Sequence, residues 1–400
     1  MRRASLLVLF LTVFIDLVGF GMVIPFLSYY AREYHASGKA VGLVVGVYSI
    51  MQFFFSPLWG RLSDRIGRRP VLILSLTASF TGYLLFGFAR SFGVLLASRI
   101  IAGAGAANIV TAQAYIADAT TPEKRAKGMG LIGAAFGLGF ILGPPLSGIL
   151  ATVGTRHGFH GNLYPGLAAA GMSLVALTIA FFALGESKPE ELRVPQSGIP
   201  PQFDPQLWRR MGTEALAGAI MLALFLTLLS VAGMETSVTL HARDRFQFRQ
   251  LDLAYLFLFM GVIVAAIQGG LIGRLANALG ERTLVAIGTA SFTIGLGLVP
   301  FIERARLLYV VAFFVAIGQG LCYPSLTSLL TKATDAGERG SVLGFASAVG
   351  SLARFLGPIV TGHLYDAAGA KGAFWGGAAM TAIAFVVALG MRKRELLNEN

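Results

Sequence analysis

Residues 41–60 read VGLVVGVYSIMQFFFSPLWG, and they are followed by the polar run RLSDRIGRRP and by a second apolar run, VLILSLTASFTGYLLFGF, at residues 71–88. An apolar stretch of about 20 residues is long enough for a helix to cross roughly 30 Å of hydrocarbon at a rise of about 1.5 Å per residue. The two runs therefore predict a pair of membrane-spanning helices joined by a short charged connection.

Apolar runs of this length recur along nearly the whole chain. Only 13% of the residues are charged, against about 25% in a soluble domain, and 55% are hydrophobic. The runs are continuously apolar rather than alternating, which excludes the strands of a membrane barrel and leaves helices. We predict an all-α membrane protein with twelve spans near residues 5–30, 41–60, 70–88, 92–117, 128–150, 165–184, 213–240, 252–277, 282–301, 306–331, 340–364 and 372–391.

The net charge of +12 is explained by membrane topology. With both termini in the cytoplasm, twenty of the 32 Lys and Arg lie in cytoplasmic segments and ten lie on the opposite side, while Arg99 and Arg354 lie within spans. This asymmetry follows the positive-inside rule and sets the orientation. No basic patch is interleaved with aromatic residues on a soluble domain, so we expect no nucleic-acid partner.

Other chemistries find little support in the sequence. Cys322 is the one cysteine, which excludes an intramolecular disulfide. The five histidines lack the spacing of metal ligands, and no phosphate-binding Gly-Lys-Ser or Gly-Lys-Thr loop is present. We therefore expect no enzymatic activity, no metal and no cofactor.

Two related halves flank one long polar connector. We assign residues 1–185 to an N-terminal six-helix bundle, 186–210 to a cytoplasmic linker with five prolines, and 211–400 to a C-terminal six-helix bundle. At offsets of 213 and 214 the two halves align at Gly60 with Gly273, Gly67 with Gly280, Arg125 with Arg339, and Gly143-Pro144 with Gly357-Pro358. Such a duplication is typical of transporters whose substrate site lies between the halves and that work by alternating access.

The arginine-rich segment, residues 60–69, contains one acid among its bases. The positive-inside rule accounts for the arginines but not for Asp64. We hypothesise that Asp64 caps the helix that begins near Gly340, a charge–dipole contact of about 0.3 to 2 kcal/mol that breaks when the cytoplasmic side opens. Glycines at both ends of the segment permit a tight turn and close helix approach. Asp118 is expected to pair with Arg68 when the cytoplasmic side is closed. The predicted cytoplasmic gate comprises Gly60, Asp64, Arg65, Gly67, Arg68, Asp118 and Arg125.

The arginine-rich segment resembles the signature loop of the major facilitator superfamily, and the resemblance extends over nearly the whole chain. Two further motifs of that family match, one through Arg99, Gly103 and Gly105 and the antiporter motif through Gly139, Gly143, Pro144 and Gly148. The resemblance implies a twelve-helix, proton-coupled drug exporter, and we expect a monomer in the bacterial inner (plasma) membrane.

Short segments of the sequence resemble particular subfamilies of this superfamily. Residues 16–25 and 114–118 resemble tetracycline efflux proteins and their multidrug relatives, and residues 233–248 resemble tetracycline-transporter-like organic-anion carriers. The acids and the histidine expected of a tetracycline exporter fall on Gly82, Phe292 and Val264. Tetracycline is therefore not implied as the substrate.

Charged groups inside spans are the candidates for proton coupling. Each costs at least about 2.5 to 3.5 kcal/mol at a helix centre, and such groups usually face a cavity. We interpret Asp16 as a group that binds a proton or the substrate, with a structural hydrogen-bonding role as the alternative, and Glu235 as a second proton-carrying acid. Arg99 holds its charge and is expected to attract or release a nearby acid, with a fixed bond to helix-end carbonyls as the alternative.

One arginine and four glutamines within the spans are the polar side chains that could contact the substrate. Arg354 has no counterpart in the first half, where the offset falls on Phe140, so we expect it to bind an anionic substrate group or to form a structural salt bridge. Four glutamines either line the cavity or bond helices together: Gln52, Gln113, Gln268 and Gln319. For the glycines of the antiporter motif, close helix packing is the favoured interpretation.

The sequence thus predicts a secondary transporter that exports amphipathic organic compounds in exchange for protons by alternating access. Its expected partners are the small substrate, protons and membrane lipid. An organic-anion or metabolite permease, a lipid flippase and a non-transporting membrane receptor remain as alternatives.

Overall fold

The computed structural model describes residues 3–106, 108–120, 122–188, 199–335 and 338–398. Within those ranges every regular element is a helix, which confirms the predicted all-α class. Part of the predicted linker, residues 189–198, lies outside the described residues.

Seven helices precede the linker. They are α1 (Arg3–Glu33), α2 (Gly38–Ile66), α3 (Arg68–Gly87), α4 (Phe92–Ala104), α5 (Asn108–Ala119), α6 (Pro122–Arg156) and α7 (Leu163–Ala183). The fourth predicted span corresponds to α4 and α5 together.

Seven more α-helices follow in the described ranges, the first of which begins inside the predicted linker. They are α8 (Pro205–Thr213), α9 (Ala215–Phe246), α10 (Gln250–Ala266), α11 (Ile272–Leu279), α12 (Glu281–Leu298), α13 (Leu308–Lys332) and α14 (Arg339–Asn398). A π-helical turn at Ile267–Leu271 joins α10 to α11, and the three form the eighth predicted span.

In the described ranges, eleven helical stretches are long and apolar enough to cross a membrane. The longest, Arg339–Met391, is interrupted by non-helical backbone at Ala368 and Gly369 and therefore contains the last two predicted spans. Several helices, among them α2, α6 and α9, extend up to six residues past the predicted limits. Hydropathy marks only the part of a helix that lies in hydrocarbon, whereas the hydrogen-bonded helix continues into the charged residues beyond it.

The chain forms two compact units. The first contains Met1–Ala36, Val47–Gly198 and Phe248–Leu258, and the second contains Ser37–Gly46, Ile199–Gln247 and Phe259–Asn400. The start of α2 therefore belongs to the second unit and the start of α10 to the first. The predicted boundary at residues 186–210 stays a prediction.

Each unit has its own apolar interior. In the first, α1 packs against α6 and α7, and α3 packs against α4 and α7. In the second, α9 packs along α14, and α12 lies against α13 and α14. Large apolar side chains such as Phe182, Phe301 and Val386 are exposed, as expected of surfaces that contact lipid rather than water.

Candidate functional site

The arginine-rich segment is mostly helix rather than loop. α2 continues to Ile66, Gly67 alone has a left-handed backbone with φ of 103°, and α3 begins at Arg68. The expectation that Gly60 permits a tight turn and a close helix approach was wrong. Gly60 lies within α2, and a Cβ atom there would meet none of the described atoms within 4 Å. A reversal between two helices needs only one residue of positive φ, and Gly67 provides it.

The second copy of the segment has the same construction. Gly273 lies within α11 with open space around its Cα, and Gly280 has φ of 77° before α12 begins at Glu281. Both halves therefore use the second glycine of the pair for the turn. This geometric match supports the internal duplication inferred from the offset.

Asp64 and Arg68 are the centre of a buried ion network. The Asp64 carboxylate contacts Arg68 Nη2 and Lys188 Nζ, each at 2.8 Å. Arg68 also reaches Asp118 Oδ2 through Nε at 2.9 Å and Ser63 Oγ through Nη1 at 2.6 Å. The predicted pairing of Arg68 with Asp118 is present, whereas Lys188 was not foreseen because it lies over a hundred residues away.

The remaining gate predictions have mixed outcomes. Arg65 is exposed. The side chain of Arg125 lies outside the described residues, although its backbone belongs to α6. The contact of Asp64 with the start of α14 stays a prediction, and the structure gives the carboxylate Arg68 and Lys188 as partners.

Glu186, three residues after the end of α7, caps the start of α3. Its carboxylate accepts hydrogen bonds from the backbone N–H groups of Arg68 at 2.8 Å and Arg69 at 3.1 Å. It also accepts from Ser187 at 3.0 Å and Lys188 at 3.1 Å. The first N–H groups of a helix need acceptors, and Gly67 has no side chain to offer one. A glycine directly before a helix start, with no side-chain acceptor of its own, is the sequence feature that indicates a capping acid elsewhere in the chain.

Glu186→Ala is expected to destabilise the first unit and to slow transport. Loss of a helix-capping acceptor costs about 0.5 to 2 kcal/mol, and four N–H groups lose a partner together. Thermal unfolding of the purified protein measures the change, with Glu303→Ala as the control because Glu303 is exposed. Equal melting temperatures for the two variants would contradict the capping role.

Asp64→Asn is expected to impair the conformational cycle. The amide keeps the shape of the side chain but loses the charge that holds Arg68 and Lys188, while Arg68 keeps Asp118. Transport should therefore fall with little loss of folded protein. Initial rates in proteoliposomes, normalised to folded protein, measure the effect, and a wild-type rate would refute the hypothesis that the contacts of Asp64 control opening of the cytoplasmic side.

The C-terminal end of the linker, where α8 begins, is held in place by a helix cap and by ion pairs. α8 is capped by Asp204, and Arg210 donates to Glu214 and Glu338, each at 2.5 Å. Hydrogen bonds to these two carboxylates, that to Glu214 first, raise the pKa of Arg210 above its usual value. The exposed setting makes each pair weak by itself, but together they hold α8 beside the start of α14.

Asp16 and Arg99 are deeply buried polar groups of the first unit. Asp16 accepts a hydrogen bond from Ser173 Oγ at 2.6 Å. Arg99 has no exposed surface, and its guanidinium lies 4.9 Å from the centre of the Tyr48 ring. The phenol of Tyr83 interacts electrostatically with both charged groups. Asp16 and Arg99 therefore both lie within electrostatic reach of the Tyr83 phenol.

The Arg99 guanidinium is unusual because none of its three nitrogens has a hydrogen-bond partner within the described residues. Within the described residues, Arg99 therefore makes no hydrogen bond to the carbonyl groups at a helix end, which was the alternative interpretation of this residue. A cation–π contact is worth roughly 0.5 to 2 kcal/mol, well below the cost of burying an unpaired charge. Arg99 is poorly explained as a stabilising residue.

Glu235 and Arg354 lie on two helices of the second unit that pack along each other. Glu235 lies on α9 and Arg354 on α14, both half-buried, and the arginine is the charged group that acts on the Glu235 carboxyl. Arg354 Nη2 also donates to Ser351 Oγ at 3.1 Å. An acid and a cation on facing helices form the second candidate coupling centre.

The antiporter motif packs helices together. A Cβ atom at Gly143 would lie 2.4 Å from the carbonyl carbon of Gly21, and one at Gly139 would lie 2.8 Å from the Leu17 oxygen, so α6 and α1 touch backbone to backbone. At Gly148 a Cβ atom would lie 2.6 Å from the Ala254 Cβ of α10. The close approach expected of these glycines is present.

The four glutamines remain candidates for lining the substrate cavity or for hydrogen bonds between helices. Gln52 and Gln319 are half-buried, whereas Gln113 and Gln268 are exposed. Among the residues that the structure describes, no group of three or more His, Cys, Asp or Glu side chains could hold a metal ion.

Comparison with known proteins identifies the family. The sequence profile of the Major Facilitator Superfamily matches residues 9–284 and 263–399, nearly the whole chain. The chain belongs to the major facilitator superfamily. Members of this superfamily are transporters, so the protein is a multi-pass membrane transporter, and the resemblance of its arginine-rich segment is confirmed.

Its relatives within the superfamily include drug-resistance proteins and organic-anion carriers. The class C tetracycline resistance protein of Escherichia coli is 30% identical over 384 residues, covering 94% of this chain and 92% of its own length. Major facilitator superfamily domain-containing protein 10 of Bos taurus is 31% identical over 355 residues, covering 82% of this chain and 74% of its own length. The crystal structure of the human organic anion transporter MFSD10 aligns with a TM-score of 0.69 and 26% identity, covering 96% of this chain and 99% of that one.

Proposed function

We propose that this transporter exports an amphipathic organic compound in exchange for protons. The observation that carries the proposal is the buried polar group of the first unit, where Asp16 and Arg99 both act electrostatically on Tyr83 and Arg99 has no hydrogen-bond partner within the described residues. A buried carboxyl that exchanges a proton beside a permanent cation changes the net charge of its site. Such a change is what couples a proton to a conformational step. The similarity to a tetracycline resistance protein supports export of a drug-like compound.

In the second unit Arg354 acts electrostatically on the Glu235 carboxyl, and we propose that these two residues form a second coupling centre. Each pH unit across the membrane provides about 1.4 kcal/mol per proton. A potential of 100 mV adds about 2.3 kcal/mol for each charge moved. One or two protons are thus enough to drive a solute tenfold or more against its gradient. We further propose that both termini are cytoplasmic, that the membrane is the bacterial inner membrane and that the transporter works as a monomer.

Proteoliposomes with an imposed pH gradient test the proposal. The panel consists of cationic drugs, anionic drugs and lysolipids, and accumulation of at least one class should depend on the gradient and collapse with a protonophore. Absence of any pH-driven flux for the whole panel would overturn proton antiport.

An organic-anion carrier is the second candidate. It is favoured by Arg354, a cation on α14 beside Glu235, and by similarity to MFSD10, whose human member is described as an organic anion transporter. Under this alternative Arg354 binds the anionic group of the substrate. Transport confined to the anionic drugs, and lost in Arg354→Gln, would favour it over export of cationic compounds.

A further inference from the structure

The start of α2 forms a flat glycine face against α14, within the second compact unit. Gly38, Gly42 and Gly46 are spaced by four residues and therefore lie on one side of the helix. Cβ atoms built on them would lie 2.4, 2.1 and 2.5 Å from three α14 carbonyl oxygens, those of Gly362, Pro358 and Phe355. Over two turns, the two backbones are in direct contact.

Asp366 fastens the same end of α2. Its Oδ1 accepts the N–H of Gly38 at 2.7 Å and its Oδ2 accepts the N–H of Lys39 at 2.9 Å. These are two of the N–H groups that no residue inside α2 can satisfy, and a carboxylate there also faces the positive end of the helix dipole. Asp366 lies on α14 just before its break at Ala368. The offset of 214 places Thr152 at its position in the first half, so the contact is not duplicated.

α2 connects the two compact units. It is one uninterrupted helix from Gly38 to Ile66, yet its residues up to Gly46 pack in the second unit and those from Val47 onwards pack in the first. A rearrangement of one unit against the other must therefore release the start of α2 from α14 or bend α2 near Gly46. A continuous helix resists bending, so release of a contact with few apolar side chains is the easier route.

We propose that Asp366 and the glycine face of α2 form a clasp that closes the outer side of the transporter and is released once in each transport cycle. The proposal rests on alternating access and on the proposed topology, in which α2 begins outside. The outer clasp is the reciprocal of the contact hypothesised above between Asp64 and the start of α14. On the inner side an acid of α2 is predicted to cap α14, and on the outer side an acid of α14 caps α2.

The clasp can be tested by cysteine labelling, which needs neither a substrate nor a pH gradient. The reporter is Val41→Cys in a Cys322→Ser background, because Val41 is buried and lies beside the glycine face. A membrane-impermeant maleimide is applied from outside to the intact transporter in vesicles. Removing Asp366 should raise the labelling rate by about two- to thirty-fold, the factor expected for one charge contact at a helix end.

Two variants and two controls separate the clasp from general loosening. Asp366→Ala removes the cap, and Gly42→Ala places a Cβ 2.1 Å from a carbonyl oxygen; both should increase labelling. The first control, Asp252→Ala, removes an acid that accepts the N–H of Arg249 at the start of α10. The second control, Gly171→Ala, adds a Cβ atom where nothing lies within 4 Å. Neither control should change the labelling rate. If Asp366→Ala folds poorly, Asp366→Asn, which keeps one acceptor oxygen, should give an intermediate rate.

The outcomes distinguish this inference from the proposed function. Wild-type labelling rates in both the Asp366 and Gly42 variants would overturn the clasp, even if proton-driven flux were demonstrated. Equal increases in the variants and the controls would overturn it too. Increased labelling confined to the Asp366 and Gly42 variants supports the clasp, even if wild-type protein shows no pH-driven flux and the antiport proposal fails.

Discussion

Asp16→Asn is expected to abolish uphill, proton-driven transport while leaving folded protein. Asparagine has nearly the same shape, and its side-chain oxygen can still accept the hydrogen bond from Ser173, but it cannot bind and release a proton. Accumulation driven by a pH gradient should fall to background. Flow of substrate down its own gradient should persist, because the pathway itself is unchanged. Parallel flux measurements with and without the pH gradient separate the two.

The control for this prediction is Asp335→Asn, which neutralises an exposed acid in the connection before α14. It should leave both kinds of flux at the wild-type level. If Asp16→Asn still concentrates substrate, Asp16 is a structural hydrogen-bonding acid. Glu235→Gln, tested in the same assay, would then decide whether the acid of the second unit carries the proton.

Gly143→Val is expected to be among the most destabilising substitutions in the chain. A Cβ atom at Gly143 would lie 2.4 Å from the Gly21 carbonyl carbon and 2.7 Å from its Cα. Since these are backbone atoms, the overlap is relieved only by moving α6 away from α1. Overpacking typically costs about 1 to 3 kcal/mol, and here it acts where the two helices touch. The amount of folded protein remaining after heating should drop sharply.

Gly133→Val is the matched control, because Gly133 lies on the same helix and a Cβ there would meet nothing within 4 Å. It should keep near wild-type stability. If Gly143→Val were as stable as the control yet leaked protons, the antiporter motif would have a direct gating role. Loss of stability supports the packing role that we favour.

The membrane spans could be predicted from hydropathy because crossing hydrocarbon imposes a length and an apolar composition on each helix separately. The helix ends were less predictable. α2 continues through the arginine-rich segment and stops at Gly67 because a helix persists as long as its own hydrogen bonds do, whatever the polarity of its side chains. For the same reason α6 begins well before its apolar run.

The candidate site was predicted in part. Asp16, Arg99, Glu235 and Arg354 stood out because a charge is costly inside a membrane span and is therefore conspicuous in an apolar run. Ser173, Lys188, Glu186 and Asp366 did not, because a serine in a helix or an acid in a connector is ordinary until its partner is known. Each of these four bonds a group that lies far away along the chain.

By itself, the sequence determined the helical class, the number and approximate limits of the spans, the duplication and the family. All of these depend on composition and spacing within short stretches. Only the tertiary structure decided the partners of the arginine-rich segment: Arg68 holds Asp64 and Asp118, Lys188 joins them, and Glu186 caps the helix that follows Gly67. Those contacts bring together residues up to 124 positions apart, and their distances depend on helix packing that no local pattern encodes.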